Sequence, residues 1–319
     1  MGQYGYICAG NLILDSRGMR NSFPGCKEFP GGPATFAYTG VRIWTDSVMQ
    51  VSRTGADYEA HFSEWIRRNN VETKGIKVVC DRANHLYGFM HAYGFWPVPE
   101  FDRHTLDAWQ DFGYQKTRPE DIGEFTQGGG VKGVYLAANP DTVFWNDLGR
   151  IKQRDGFKVM WEIEGVWAQK EFMLEIMNAA QYADIFSINI AETQRLFECT
   201  SDEDCIRGLQ TLPVDMTLFR VGERGLYVVT KEDAVYLPPA PGAVVDTLGC
   251  GNSSTGGALY AYAEGKDPLM IGIMANIASS MNIRQYGVIP EFDIIREDCY
   301  RMAQELYQRY SSPKTGQAR

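Results

Sequence analysis

The stretch that decides the fold is Asp246-Thr247-Leu248-Gly249-Cys250-Gly251-Asn252-Ser253-Ser254-Thr255-Gly256-Gly257. Two glycines flank one small residue, and a helix-forming segment from Ala258 to Glu264 follows at once. Glycine lets the backbone turn sharply and approach a ligand closely. The start of the following helix then directs free N–H groups and the positive end of its dipole at a negative group. The stretch therefore predicts an anion-binding site at the backbone of Gly249–Asn252.

Short apolar runs alternate with helical patterns through the chain. Helical spacing of apolar residues predicts helices over Asp57–Asn70 and Lys170–Tyr182, and the pair Asp267-Pro268 predicts the start of another that runs to about Gln285. The predicted strands are Tyr6–Leu14, Val48–Ser52, Gly133–Ala137, Phe157–Glu162, Asp184–Ile188, Met216–Val221, Leu226–Thr230 and Ala234–Leu237. This alternation predicts an α/β domain spanning residues 1–319, with a mostly parallel sheet covered by helices on both faces.

Two segments break the alternation. Asp15–Gly32 is rich in Gly, Pro and Ser, and Arg82–His104 is crowded with aromatic residues that have no helical period. Aromatic faces exclude water and stack on sugar or apolar surfaces, so the two segments predict a small lid over a ligand. Lid strands with an open edge and an aromatic surface also predict a homodimer formed through the lid.

Composition narrows the function classes. The 319 residues are 44% apolar and 22% charged, with a net charge of −9 and a pI near 5.1, which argues against a broad nucleic-acid-binding surface. No apolar run is long enough to span a membrane, and residues 1–20 lack the pattern of a signal peptide. The seven cysteines are scattered and the four histidines show no metal spacing. We therefore expect a cytoplasmic protein with reduced thiols and with neither nucleic-acid nor membrane partners.

The quoted stretch resembles the carboxy-terminal signature D-T-x-G-A-G-D of the ribokinase-like (PfkB-type) carbohydrate kinases, and the resemblance extends from about Tyr6 to Gly287. It implies a three-layer α/β/α sandwich with a small β lid. It also implies ATP-dependent phosphotransfer, with Mg²⁺, to a hydroxyl group of a sugar or nucleoside. By this resemblance, the backbone of Gly249, Cys250 and Gly251 holds the charge that develops on the transferred group.

Substrate residues follow from the resemblance near the amino terminus. The run ending in Asp15 resembles the first strand of the family, which ends in a substrate-binding aspartate. Gly31 and Gly32, followed by Pro33, resemble the family's first diglycine signature. The asparagine that the family usually carries shortly afterwards is Phe36 here, which points to an unusual substrate.

Cofactor residues follow in the second half. Asn189 and Glu192 resemble the family's N-x-x-E, whose pair acts on magnesium and phosphate largely through water, so Glu192 is the candidate metal residue. The same spacing is that of an ordinary capping box. The segment with Arg220, Gly222 and Gly225 resembles the strand-turn-strand of the nucleotide site, although the glycines would equally serve a tight hairpin. Asn276 falls where relatives line the adenine pocket, and Glu162 and Glu164 fall at a strand end where relatives often carry an acidic residue.

The chemistry meets one obstacle at Asn252, where the family carries its catalytic base, an aspartate. An amide takes no proton at neutral pH, and a general base is worth about 10²–10⁴ in rate. Asn252→Asp is therefore expected to raise phosphotransfer by such a factor. Four alternatives stay open: a natural variant with another base, a non-catalytic binding or regulatory descendant, an engineered inactive variant, or a reaction that needs no base. An oxidoreductase is disfavoured, because no G-x-G-x-x-G follows the first strand.

Overall fold

The computed structural model describes residues 4–18, 27–91, 94–96 and 115–312. Its helices are α1 (Pro33–Arg42), α2 (Tyr58–Asn69), α3 (Pro119–Thr126), α4 (Thr142–Asp155), α5 (Met173–Ala180), α6 (Ile190–Phe197), α7 (Asp202–Leu209), α8 (Cys250–Ala263), α9 (Pro268–Asn282) and α10 (Arg296–Ser311). Its strands are β1 (Tyr6–Ala9), β2 (Ile13–Gly18), β3 (Lys27–Gly31), β4 (Val48–Gly55), β5 (Ile76–Cys80), β6 (Asn84–His91), β7 (Gly94–Trp96), β8 (Gly133–Ala138), β9 (Lys158–Ile163), β10 (Ile185–Asn189), β11 (Met216–Arg220), β12 (Leu226–Thr230) and β13 (Ala234–Leu237).

Nine strands form the central sheet in the order β13-β12-β11-β10-β9-β8-β1-β4-β5. The strands from β11 to β5 run parallel to their neighbours, and β12 and β13 join as antiparallel edge strands. The mostly parallel sheet predicted from the alternation is therefore confirmed.

Helices cover both faces of this sheet because successive strand residues point to opposite sides. On β1, Tyr6 and Cys8 join one hydrophobic cluster with residues of α1, α8, α9 and α10, whereas Ile7 and Ala9 join a second cluster with residues of α3 to α7. The three-layer α/β/α sandwich is thereby confirmed.

A second sheet of four strands, β3-β2-β6-β7, stands apart from the central sheet. Its strands overlap the two segments that broke the alternation, and Leu12 and Leu14 pack against Tyr58 and Phe62 of α2. Residues 19–26, 92–93 and 97–114, which include part of the aromatic segment, lie outside the described residues. The bounds of the lid, the single domain and the lid-mediated dimer stay predictions.

The first strand differs from the prediction. Tyr6–Leu14 is two strands, β1 and the start of β2, with a break at Gly10, whose φ of +150° is rare for residues with a side chain. Asp15 consequently lies within β2, where it pairs with Phe29 of β3, and not at the end of a central strand. The last predicted helix also ends earlier, at Asn282 instead of about Gln285.

Close backbone contacts join α1, α8 and α9. A side chain at Gly40 of α1 would overlap the backbone of Ser253, and one at Gly256 of α8 would overlap the backbone of Ala37. At Gly257 an added Cβ would lie 2.9 Å from the carbonyl oxygen of Met274 in α9. The small residues after Asn252 are therefore explained by helix packing.

Neither a membrane span nor a disulfide is found in the part of the chain that the structure describes. No helix there is long and apolar enough to cross a bilayer. The six cysteines within it are free, although the sulfur atoms of Cys199 and Cys205 are 3.1 Å apart.

Candidate active site

The turn that leads into α8 is held from two sides. Asp246 Oδ1 accepts a hydrogen bond from the N–H of Leu248 at 3.1 Å, and Asn282 Nδ2 of α9 donates to the carbonyl of Leu248 at 2.7 Å. Gly249 follows with a φ of +75°, a left-handed conformation that glycine adopts without strain. The local sequence thus fixes the direction in which α8 begins.

Several backbone N–H groups at this helix start have no acceptor among the described residues. The N–H of Cys250 donates to the carbonyl of Thr247 at 3.3 Å, but no oxygen in the described ranges accepts from the N–H groups of Gly249, Gly251 or Asn252. Free N–H groups at the start of a 14-residue helix, together with its dipole, suit a negative group.

Phe36 forms an apolar wall beside these donors. It lies in the first turn of α1 and is only 2% exposed. An added Cβ at Gly249 would collide with its ring. A phenylalanine at this place has no side-chain hydrogen-bonding group, unlike the asparagine expected from the family pattern.

A buried polar network lies beneath Asn252. Its Nδ2 donates to Glu162 Oε2 at 3.0 Å and to Tyr135 Oη at 3.2 Å, and Tyr135 Oη in turn donates to Glu162 Oε2 at 2.7 Å. Arg220 Nη2 lies 2.9 Å from Glu162 Oε1. Burial and the adjacent Glu162 carboxylate raise the pKa of Tyr135 well above its ordinary value, so the phenol keeps the proton that it donates.

Arg220 brings positive charge to the start of α8. A side chain at Gly251 would collide with its guanidinium, so the two are in direct proximity. Its Nε is buried and has no hydrogen-bond partner in the described part of the chain. A guanidinium beside free backbone donors fits a phosphate group, which accepts several charge-assisted hydrogen bonds.

Asn189 and Glu192 form the capping box that their spacing predicts. Asn189 Oδ1 accepts from the N–H of Glu192 and Glu192 Oε2 accepts from the N–H of Asn189, both at 2.9 Å. Desolvation raises the pKa of Glu192, opposed mainly by the nearby Arg220. Its other carboxylate oxygen faces Gly165, where an added Cβ would lie 2.8 Å away.

This geometry fits a hydrated Mg²⁺ but no direct multidentate cage. Mg²⁺ keeps several waters and needs few protein oxygens. Among the residues that the structure describes, no group of three or more His, Cys, Asp or Glu side chains could hold a metal ion. Glu192 could act on the ion only through water, as the N-x-x-E resemblance implies.

The strand-turn-strand predicted for the nucleotide site is present. Strands β11 and β12 are antiparallel neighbours joined by a short 3₁₀ turn, in which Gly222 and Gly225 have φ values of +65° and +105°. A side chain at Gly225 would overlap the carbonyl of Leu237. Asn276 lies on α9 and donates through Nδ2 to the carbonyl of Pro238 at 2.8 Å.

The proposed substrate residues meet at the edge of the second sheet. Asp15 is buried, and a Cβ at Gly31 would overlap its carboxylate. Gly32, with a φ of +91°, precedes Pro33 at the first position of α1, and an added Cβ there would lie 2.5 Å from the carbonyl oxygen of Asn11. The diglycine is therefore required for β2, β3 and α1 to meet.

Two residues of the site were not singled out from the sequence. Tyr135 and Asn282 carry no signal of their own, since a tyrosine in a strand and an asparagine at a helix end are common. Glu162 gave a clearer signal, because it is a carboxylate within the apolar run Val159–Ile163.

Comparison with known proteins identifies relatives of the chain. Residues 135–294, half of its length, match the model of the pfkB family carbohydrate kinases. An uncharacterised sugar kinase of Archaeoglobus fulgidus is 30% identical over 106 residues, covering 32% of this chain and 41% of that protein. Protein MAK32 of Saccharomyces cerevisiae is 30% identical over 174 residues, covering 47% and 48%. These two matches therefore span less than half of each relative. An uncharacterised protein of Schizosaccharomyces pombe is 22% identical over 330 residues, covering 89% and 85%.

Solved structures share the fold over nearly the whole chain. A probable sugar kinase from Rhizobium etli superposes with a TM-score of 0.71 at 16% identity, covering 96% of this chain and all of that one. The fructokinase of Vibrio cholerae with fructose, ADP and calcium bound gives 0.71 at 17%, covering 94% and 99%. The aminoimidazole riboside kinase of Salmonella enterica with aminoimidazole riboside and an ATP analogue gives 0.70 at 17%, covering 93% and 99%. At these identities the likeness shows the fold.

Proposed function

Because the chain belongs to the pfkB family of carbohydrate kinases, we propose that it transfers a phosphoryl group from ATP to a hydroxyl group of a sugar or nucleoside. The observation that carries the proposal is the start of α8, where the free N–H groups of Gly249, Gly251 and Asn252 lie beside the guanidinium of Arg220. Phosphoryl transfer depends mainly on positioning and on neutralising charge, and this arrangement supplies both.

Each part of the candidate site then has a role in this reaction. The α8 donors and Arg220 hold the phosphates, while Gly222, Gly225 and Asn276 shape the nucleotide end. Asp15 and the Gly31–Gly32 turn position the acceptor. Glu192 would act on a hydrated Mg²⁺ through water. Bound Mg-ATP supplies the phosphoryl group and the metal that neutralises its oxygens.

Among the described residues, the acceptor hydroxyl would meet the amide of Asn252 and no free base. Asn252 Oδ1 can accept a hydrogen bond from the hydroxyl and so orient it, but the amide does not take the proton. The nearest carboxylate, Glu162, already accepts from Asn252 and Tyr135 and pairs with Arg220. Both oxygens of this carboxylate are therefore already engaged by donors of the protein. We therefore expect slow turnover by the wild-type chain.

The same observation favours a second candidate, a non-catalytic protein that binds a sugar or nucleoside and ATP. In that case Mg-ATP binds and no acceptor raises ADP formation above background. A cytoplasmic location and a homodimer through the lid belong to both candidates as predictions.

A phosphotransfer screen separates the two. Sugars and nucleosides are offered with Mg-ATP, and ADP formation is followed together with nucleotide binding by calorimetry. Acceptor-dependent ADP formation supports the kinase; binding without turnover supports the second candidate. The site variant is Arg220→Met, and its matched control is Arg301→Met, an exposed arginine of α10 that pairs with Asp298. The absence of nucleotide binding by the wild type would contradict both candidates.

A further inference from the structure

The orientation of the Asn252 amide is fixed by its partners. Its Nδ2 lies 3.0 Å from a carboxylate oxygen of Glu162, and a carboxylate accepts but does not donate. The nitrogen, and not the oxygen, must therefore face Glu162. The oxygen Oδ1 lies on the other side of the amide, where no group in the described ranges donates to it.

The Glu162 carboxylate is itself held rigidly. Arg220 of β11 occupies Oε1, and Tyr135 of β8 and Asn252 of α8 both donate to Oε2. The side chains of Glu162 and Arg220 are only 7% and 15% exposed, so little water screens the group. Such a network tolerates a donor at position 252 and disfavours a second acceptor there.

We propose that Glu162 is the positioning residue of Asn252: it turns Oδ1 toward the acceptor hydroxyl and makes position 252 specific for an amide. The role as a guide for the acceptor rests on the proposed function, whereas the exclusion of an aspartate does not. Asn252→Asp would place two carboxylates about 3 Å apart, and such a pair cannot stay doubly ionised without cost. In this chain, the gain of a base expected from the sequence is therefore opposed by the Glu162 carboxylate that accepts from position 252.

A coupled exchange resolves the conflict. In Asn252→Asp/Glu162→Gln the negative charge moves from β9 to α8 and the net charge is unchanged. The new glutamine can keep Oε1 on Arg220 and donate through Nε2 toward position 252. The hydroxyl of Tyr135 can turn to accept from the glutamine and donate to the aspartate. The three hydrogen bonds among positions 135, 162 and 252 are then kept with their directions reversed, and Arg220 still donates to position 162.

Thermal unfolding between pH 5.5 and 8.5 tests the proposal without any activity. We expect Asn252→Asp to lower Tm by about 5–10 °C at pH 8.5, and less at pH 5.5, where one proton is held between the two carboxylates. The sign follows from the pair: its proton affinity is higher folded than unfolded, so stability is lost as pH rises. Glu192 also lies near Glu162, which helps to raise its pKa, and both residues are present in wild type and Asn252→Asp, so these two proteins are compared with that pair unchanged.

The double variant should return to within about 2 °C of the wild type and lose the added pH dependence. The matched control is Asn146→Asp on the exposed face of α4, where Oδ1 accepts from Tyr182 and keeps its partner. It should shift Tm by less than about 2 °C. If Asn252→Asp does not fold, recovery of a folded protein by the double exchange is the readout.

Equal Tm values for Asn252→Asp and wild type across this pH range would overturn the proposal. So would a double variant that is no more stable than Asn252→Asp. A kinetic arm tests the dependence on function: the double variant should transfer phosphate about 10²–10⁴ faster than the wild type. If Tm behaves as expected and no variant turns over any acceptor, the proposed function fails and the exclusion of aspartate by Glu162 stands.

Discussion

Arg220→Met should lower the free energy of unfolding by about 3–5 kcal/mol, because it leaves the Glu162 carboxylate buried without its counter-ion. The pair is only 15% and 7% exposed, and the two donors that remain on Glu162, Tyr135 and Asn252, are neutral. In Arg220→Met/Glu162→Gln the stranded charge is gone as well. The double variant should therefore return to within about 1 kcal/mol of the wild type, since a buried pair is often no more stable than its neutral replacement.

Nucleotide affinity should respond differently from stability. Loss of a charge-assisted hydrogen bond costs about 1.5–3 kcal/mol, or about 10- to 100-fold in Kd. Both Arg220→Met and the double variant should show this loss, because both lack the guanidinium beside Gly251. Chemical denaturation and calorimetry with Mg-ATP measure the two effects separately.

A second buried pair provides the matched control. Arg53 Nε lies 2.6 Å from Asp121 Oδ2, and the two side chains are 12% and 2% exposed. Arg53→Met should cost less stability than Arg220→Met, because Lys77 Nζ stays 2.9 Å from Asp121 Oδ1, and it should leave ATP affinity unchanged. A stability loss below about 1 kcal/mol for Arg220→Met would show that water screens the Glu162 pair. Full ATP affinity in the double variant would refute the contact between Arg220 and phosphate.

Four further expectations follow from the structure. Gly249→Ala should destabilise the protein and weaken Mg-ATP binding, because the residue has a φ of +75° and its new Cβ would meet the ring of Phe36. Adding Phe36→Ala should recover only part of the lost stability, as measured by Tm, because the strain of the backbone at position 249 remains. Burial by itself would raise the pKa of Asp121, but hydrogen bonds from Arg53 and Lys77 hold this pKa below its ordinary value. The stability that Asp121 contributes is therefore present above about pH 4 and is lost as the pH falls further. The unfolding free energies of wild type and Asp121→Asn should therefore converge in acid, and a constant difference down to pH 3 would contradict this. Sulfate or phosphate soaked into crystals should occupy the backbone of Gly249–Asn252, and an anion bound elsewhere with this site empty would count against the donors. Light scattering should give the mass of a homodimer, and a monomer at high concentration would remove the lid-mediated dimer.

Most of the fold could be predicted from periodicity, because buried parallel strands and amphipathic helices leave strong patterns. The edges of the sheets were harder. Strand β5 was missed because it is an edge strand with Val78 and Val79 exposed, so its pattern lacks the alternation of a half-buried strand. The break at Gly10 was missed because only the backbone conformation distinguishes one long apolar run from two short strands.

The site could be predicted only where it depends on local backbone. Residues that are adjacent in sequence determine three features: the Gly249–Asn252 turn, the Asn189–Glu192 capping box and the hairpin at Gly222. The partners of Asn252 are 90 and 117 residues away in sequence, on two separate strands, and a single sequence gives no signal for such a contact. The hydrogen bonds that the Asn252 amide makes with Glu162 and Tyr135 can therefore be recognised only from the positions of the side chains.

Helices α1 and α8 pack closely together, and their contact connects the two ends of the candidate site. The N-terminus of α1, which is capped by Gly32, lies against β2, the strand that carries Asp15. The ring of Phe36 rests on Gly249. Farther along, at Gly40 and at Gly256, the backbones of the two helices meet directly, so at these points no side-chain rotamer change can absorb a displacement. A movement of the second sheet that shifts the start of α1 must therefore also shift the start of α8. Main-chain contacts thus set the distance between the acceptor end and the phosphate end of the candidate site. A ligand bound at one end should therefore change how readily the other end moves.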